Sequence, residues 1–320
     1  MQSSIQVLQS TQIARMQGAP LAKARPATAG REVYLEGVRQ RNAILDWLFY
    51  DVGVVSHSEA VALSPWLAAE GAILFVPPTG AGQLEVCASI DDFAGAFAGK
   101  VHALAVAGVG SSALGAAAFA RNVADALQQP VAAVVSGYGL ADLATEALGG
   151  FFLFGAANAL RHQFEWLDRL RESGAVVDPS MSSASKATES PMQLSKDTRT
   201  VQALLSHKAL KMKLLIGHSK GNLVISEALY NMKAEDSAYL KRLGKQILVV
   251  TVSAKIAMPR DFEHIVDIIG QIDGFGALNS RLDLGTEVKV PLAWHHTNTE
   301  LPMHLPVTKT LRELPELARL

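Results

Sequence analysis

From Lys100 onward the chain alternates short, almost wholly apolar runs with longer segments of helical spacing, and this alternation limits the fold more than any other feature. Val101–Ala107 reads as a buried strand, Ala113–Gln128 as an Ala-rich helix broken by Pro130, and Val131–Ser136 as the next strand. Thr198–His207 is helical, Lys211–Ile216 is a strand running into Gly217, and Asn222–Lys233 is helical again. Gln246–Val252, Ile265–Ile269 and Val288–Trp294 are further strands, and Val307–Leu317 is a closing helix that Pro315 kinks or ends. Upstream, Ala72–Pro77 is a short strand stopped by Pro77-Pro78 and the turn at Thr79-Gly80. Strands without polar alternation must be covered on both sides. The expected fold is therefore α/β: a doubly wound, mostly parallel sheet with helices on both faces.

A chain of 320 residues is ample for one such domain. Residues 1–30 are polar with weak periodicity and read as an N-terminal arm, and residues 31–320 read as a single domain. Within it Arg31–Leu48, Leu140–Leu148 and Phe151–Leu170 have helical spacing. Gly174–Ser195, rich in Ser, Pro, Met and Lys, reads as a mobile insertion that either borders the site or is an idle surface loop.

Apolar residues make up 49% and charged residues 18%, against about 25% charged in an ordinary domain. The chain can fill a large core, and its sparsely charged surface suits greasy substrates, partners or a second copy of itself. The net charge of −1 and the lack of a basic stripe argue against nucleic acid. Cys87 is the only cysteine, so no intrachain disulfide and no Cys-rich metal site can form. There is no His-Glu-x-x-His pattern and no Gly-Lys-Ser/Thr phosphate loop. Asp91-Asp92 reads as a solvated turn. The N-terminus lacks a signal-peptide pattern, and the apolar runs Val101–Leu114 and Gly149–Leu160 fall short of the ~20 residues of a membrane span. A soluble, cytoplasmic protein is expected.

The chemistry concentrates in Lys211–Ile225, where a strand meets Gly217-His218-Ser219-Lys220-Gly221 and leaves as a helix. A serine hydroxyl is a poor nucleophile and must be held where a base can reach it. A tight strand-to-helix turn pushes the hydroxyl out above the sheet edge, and Gly217 and Gly221 avoid the clashes of so sharp a bend. The following helix N-terminus offers amides and positive dipole to a developing oxyanion. The plainer alternative is a glycine-rich turn with Ser219 as a helix cap.

This pentapeptide resembles the nucleophile elbow of lipase- and esterase-like members of the α/β-hydrolase superfamily. The resemblance implies Ser219 as nucleophile, followed along the chain by an acid and then a histidine. The acid should follow a strand, and Asp273, after Ile265–Gly270, is the first choice. Asp261 is its main rival and Asp283 a weaker one, while Asp267 lies inside the strand. The base should lie in the loop after the last strand, where His295, His296 and His304 crowd together. His304 stands directly before the closing helix and leads; His296 and then His295 follow, because both fall at the end of the expected strand. Of the oxyanion donors, one would be the Lys220 amide and the other that of Val109 or Gly110 in Gly108-Val109-Gly110-Ser111-Ser112.

The expected reaction is hydrolysis of a small-molecule or lipid-like carboxylic ester, with no metal or organic cofactor. Two other readings stand beside it. One is a catalytically silent scaffold used for binding. The other is an NAD(P)-binding oxidoreductase, because Gly108-x-Gly110 with Ala113 and Gly115 faintly copies a dinucleotide fingerprint. That reading needs a carboxylate at the end of the next strand, where Ser136-Gly137-Tyr138 stands instead. The apolar helix expected at Gly149–Leu160, with Phe151, Phe152, Leu153 and Phe154, is either ordinary core or the wall of an acyl pocket.

Overall fold

The computed structural model describes residue 6 and residues 45–67, 69–108, 111–136, 195–274 and 286–319. The chain divides into two compact units, Met1–Tyr138 with Lys196–Leu320, and Gly139–Ser195. All described residues except Ser195 belong to the first. The expected arm, the helices at 140–148 and 151–170, nearly all of the insertion and most of the helix at 31–48 lie outside the described residues; residues 45–49 are helical.

Among the described residues the strands are β1 (Ile73–Val76), β2 (Glu85–Cys87), β3 (Ala103–Val106), β4 (Val131–Val134), β5 (Leu214–His218), β6 (Leu248–Val252), β7 (His264–Gly270) and β8 (Thr286–Val290). They form one eight-stranded sheet in the order β2-β1-β4-β3-β5-β6-β7-β8. Neighbours from β4 to β8 are parallel, whereas β1 is antiparallel to both β2 and β4. The helices are α1 (His57–Leu63), α2 (Ile90–Phe97), α3 (Ala113–Leu127), α4 (Lys196–Ser206), α5 (Lys220–Glu235), α6 (Ser237–Gly244) and α7 (Val307–Arg312).

Both faces of the sheet are covered, as the continuous apolar strands require. Leu74, Ala105, Val131, Ile216 and Val250 join α1, α3 and α7 in one buried cluster. The alternate residues Leu104, Val134, Leu215 and Val249 are equally buried on the other face, where Gly221 of α5 runs directly against the carbonyls of Val106 and Ala107. The chain leaves β3 through α3 to β4 on one side, while β5 pairs with β3 on the other. Strand order reverses here, so the loops after β3 and β5 open a crevice at the carboxyl end of the sheet. A Cβ added at Gly108, just after β3, would stand 3.1 Å from the Ser219 Cβ, just after β5.

Two boundaries differ from expectation in ways that matter for the site. The last strand ends at Val290 instead of Trp294. Pro291 offers no N–H to extend the ladder, and Leu292 sits in the left-handed region at φ 55°. His295 and His296 therefore lie in the loop beyond the strand. The closing helix stops at Arg312, ahead of Pro315, and a short 3-10 turn follows at Leu317–Arg319.

Candidate active site

Ser219 occupies a strained bend between β5 and α5, at φ 52° and ψ −117°. A non-glycine residue reaches positive φ only when its surroundings over-determine it. Here they do. The Ser219 amide donates to the Val252 carbonyl of β6 at 2.9 Å, and the Asn222 amide returns to the Ser219 carbonyl at 3.1 Å. The buried Asn222 side chain donates to the carbonyls of Val252 at 3.1 Å and Ala254 at 2.9 Å, tying the first turn of α5 to the end of β6. Neither flanking glycine tolerates a side chain. A Cβ at Gly221 would lie 2.0 Å from the Val106 carbonyl oxygen, and one at Gly217 would lie 2.3 Å from Asn222 Oδ1.

Asp273 follows β7 in a short turn, its amide donating to the Gly270 carbonyl at 3.0 Å, and its side chain is fully buried. The His295 ring bridges it to the serine. His295 Nδ1 lies 2.9 and 3.0 Å from the two Asp273 carboxylate oxygens, and His295 Nε2 lies 3.0 Å from Ser219 Oγ. An ionised carboxylate only accepts hydrogen bonds, so Nδ1 carries the proton and the lone pair of neutral Nε2 faces the hydroxyl. Gly270 makes the approach possible. A Cβ there would meet the Ala293 carbonyl oxygen at 2.3 Å, so the turn carrying His295 packs directly on the end of β7.

Ser219 and Asp273 thus come together as the sequence suggests, but the histidine is His295, the last of the three candidates. His304 is turned away, donating through Nδ1 to the Leu301 carbonyl at 3.1 Å. His296 donates through Nε2 to the Pro302 carbonyl at 3.1 Å, and burial pushes its pKa down. Asp261 is engaged elsewhere, 3.4 Å from Lys233 Nζ. Asp267 accepts from the Thr251 hydroxyl inside the sheet. Asp283 lies outside the described residues, as do Val109 and Gly110. Lys220 is the first residue of α5, so its amide belongs to the helix N-terminus beside Ser219.

His218 of the elbow and two residues not assigned from sequence, Tyr50 and Asp46, complete the surroundings. His218, fully buried beside Ser219, has Nδ1 3.0 Å from the Tyr50 hydroxyl and Nε2 2.9 Å from the His295 carbonyl. Burial pushes its pKa down to about 3, helped by the neighbouring His295. Tyr50 accepts from the Gly108 amide at 2.5 Å. Asp46, from the short helix before Tyr50, accepts from the Ser112 amide at 3.0 Å and from the Ser112 hydroxyl, at the start of α3. Burial pushes the Asp46 carboxyl up to about 7 against those hydrogen bonds. Tyr50 and Asp46 lie far upstream in sequence, and no local pattern marks them.

Asp46 also bears on the dinucleotide reading. A Cβ at Gly115 would stand 2.1 Å from Asp46 Oδ1, so the glycine makes room for a carboxylate of the same chain. That carboxylate occupies the start of α3, where a pyrophosphate would have to sit. Ser136, at the position needed for a ribose-binding acid, donates its hydroxyl to the Ala107 carbonyl at 2.8 Å. Compared with known proteins, the chain matches no family model, no curated protein and no solved structure.

Proposed function

We propose that the protein is a serine hydrolase that cleaves a carboxylic ester through an acyl-enzyme on Ser219. The observation that carries this reading is the hydrogen-bonded chain Ser219–His295–Asp273, with the serine at a strained strand-to-helix bend. Oγ attacks the ester carbonyl as its proton passes to His295 Nε2. Asp273 holds the ring by Nδ1–H and stabilises the imidazolium that forms. The tetrahedral oxyanion develops beside the N-terminus of α5, where the Lys220 amide and the helix dipole favour negative charge. Collapse breaks the ester C–O bond, and His295 returns its proton to the departing alkoxide. Water then attacks the acyl group with the same proton transfers in reverse order. The second oxyanion donor is assigned to Val109 or Gly110 on the sequence alone. The likeness of Gly217–Gly221 to the α/β-hydrolase elbow points the same way.

An apolar substrate is the reading that the exposed side chains near Asp273 and His295 in the chain support. The large apolar side chains left exposed among the described residues are Ile272, Leu292 and Met303. Their segments are stitched together, the Ile272 amide donating to the Ala293 carbonyl at 3.1 Å and the Trp294 amide to the Met303 carbonyl at 2.7 Å. Ile272 directly precedes Asp273 and Leu292 stands three residues before His295, and on that proximity in the chain we assign a greasy acyl or alcohol group to these side chains. The direct test is labelling with a fluorophosphonate probe, followed by a screen of p-nitrophenyl esters of increasing chain length. Labelling of wild type that disappears in Ser219→Ala, with turnover rising toward medium chains, is expected. A well-folded wild type that neither labels nor turns over any ester would overturn the enzyme reading in favour of a silent binding scaffold.

A further inference from the structure

We propose that His218 is a positioning residue: a neutral imidazole that struts the main chain of His295 against Tyr50 and Gly108, setting base, nucleophile and β3 loop in register. This rests on the serine-hydrolase reading and names what aligns its base.

The direction of each hydrogen bond follows from chemistry. The His295 carbonyl can only accept, so His218 Nε2 carries the hydrogen of that 2.9 Å bond. In a neutral ring Nδ1 is then an acceptor, and the Tyr50 hydroxyl must donate to it across 3.0 Å. The Tyr50 oxygen in turn accepts the Gly108 amide at 2.5 Å. The relay therefore runs one way from the Gly108 amide through Tyr50 to His218 Nδ1, and from Nε2–H to the main chain of His295. A protonated His218 would instead donate from Nδ1 to the Tyr50 oxygen, reversing that link and turning the Tyr50 hydroxyl hydrogen away from the ring.

The surroundings keep the ring neutral. It is packed against Tyr50 at 5.3 Å and Phe119 at 5.8 Å between ring centroids, with the His295 ring at 5.3 Å. The charged and titratable groups that face it are Tyr50, whose hydroxyl burial keeps protonated, and His295, Asp273 and His296. The Asp273 carboxylate already accepts from His295 Nδ1. An imidazolium at His218 would oppose the one that forms on His295 during turnover, so neutrality matters to the reaction as well as to burial. His218 sits one residue before the nucleophile, so a shift of its partners moves His295 relative to Ser219 directly.

Two measurements together decide it. In the first, kcat and KM for one p-nitrophenyl ester are compared for wild type, His218→Leu, His218→Gln and Tyr50→Phe, with circular dichroism as a check on folding. Misplacing a catalytic group by about 1 Å costs on the order of 10²-fold, so His218→Leu should lose kcat on that scale with little change in KM. His218→Gln keeps a donor for the His295 carbonyl and should recover most of the loss, and Tyr50→Phe should fall between. Equal loss in Leu and Gln variants, or a loss confined to KM, would overturn the proposal. The second measurement needs no activity. Imidazole 15N NMR should show His218 neutral and Nε2-protonated from about pH 5 to 8, and the downfield His295 Nδ1 proton should disappear in folded His218→Leu. If that proton persists unchanged, or His218 titrates near its ordinary value, the strut is wrong whether or not any ester is turned over. A wild type without esterase activity but with both NMR signatures would instead sink the hydrolase reading and leave the strut standing.

Discussion

At the scale of single residues, three histidines compete for one role, and geometry separates them. Only His295 is held on both sides, by Asp273 through Nδ1 and toward Ser219 through Nε2. His295→Ala should lower kcat/KM by roughly 10⁴- to 10⁶-fold, the scale of losing a member of a cooperating triad. His304→Ala, which removes a bond to the Leu301 carbonyl and none to Ser219 or Asp273, should stay within a few-fold of wild type. Steady-state assays on the two variants check this, and an inactive His304→Ala beside an active His295→Ala would reverse the assignment. Asp273→Asn should lose about 10⁴-fold, because an amide can face Nδ1 with a donor and favour the wrong tautomer.

At the scale of elements, the site depends on backbone segments that approach too closely for a side chain. Gly221 brings α5 onto β3, and Gly270 brings the turn at Ala293 onto β7. A methyl group at either would sit within 2.0 and 2.3 Å respectively of a carbonyl oxygen. Gly221→Ala and Gly270→Ala should each destabilise by about 1–3 kcal/mol or more, as overpacking does, and both should cut activity because the moved segments carry Ser219 and His295. Gly95, exposed in α2 with nothing within 4 Å of an added Cβ, is the counterexample. Gly95→Ala should stabilise by about 0.5–1 kcal/mol through helix propensity. Urea melts of the three variants test the contrast, and equal effects would show that local crowding does not control these positions.

At the scale of the whole molecule, buried groups of opposite behaviour make stability depend on pH. Asp46 has an ordinary value of 3.8 and a folded value of about 7. Between those pH values the folded chain keeps a proton that the unfolded chain has released, so this contribution to stability falls as pH rises. His218 goes the other way, from 6.5 to about 3. Over that range the unfolded chain binds a proton the folded chain refuses, so stability falls as pH drops. The two slopes oppose one another from about pH 4 to 6.5. Asp46→Asn keeps an acceptor for the Ser112 amide and gains a donor for the Ser112 hydroxyl. It should remove the Asp46 slope, giving a melting temperature that climbs more steeply with pH than in wild type. At pH 8 it should be more stable than wild type, by at most about 4 kcal/mol. Thermal melts across pH 4–8 check this, and parallel profiles for the two proteins would show that Asp46 does not carry the buried proton.

What the sequence determined by itself is what short-range patterning encodes. Unbroken apolar runs at Ala103–Val106, Leu214–Ile216 and Leu248–Val250 cannot face water on either side, so a parallel sheet covered by helices followed directly. The glycines around Ser219 marked the bend, because a turn that sharp leaves no other residue type at those two positions. Asp273 was readable because it comes just past a strand end. The antiparallel edge at β1 and β2 was not readable, since three-residue β2 carries no usable periodicity. Nor was the choice of histidine. It turned on where β8 stops, and that was decided by Leu292 adopting a left-handed backbone while the next residues folded onto Gly270. Tyr50 and Asp46 belong to the same class: they reach the site over sequence separations of 168 and 66 residues, to His218 and Ser112. A window along the chain sees propensity and period, but which polar groups meet when the strands are stacked depends on the packing of distant segments, and only the tertiary structure holds that.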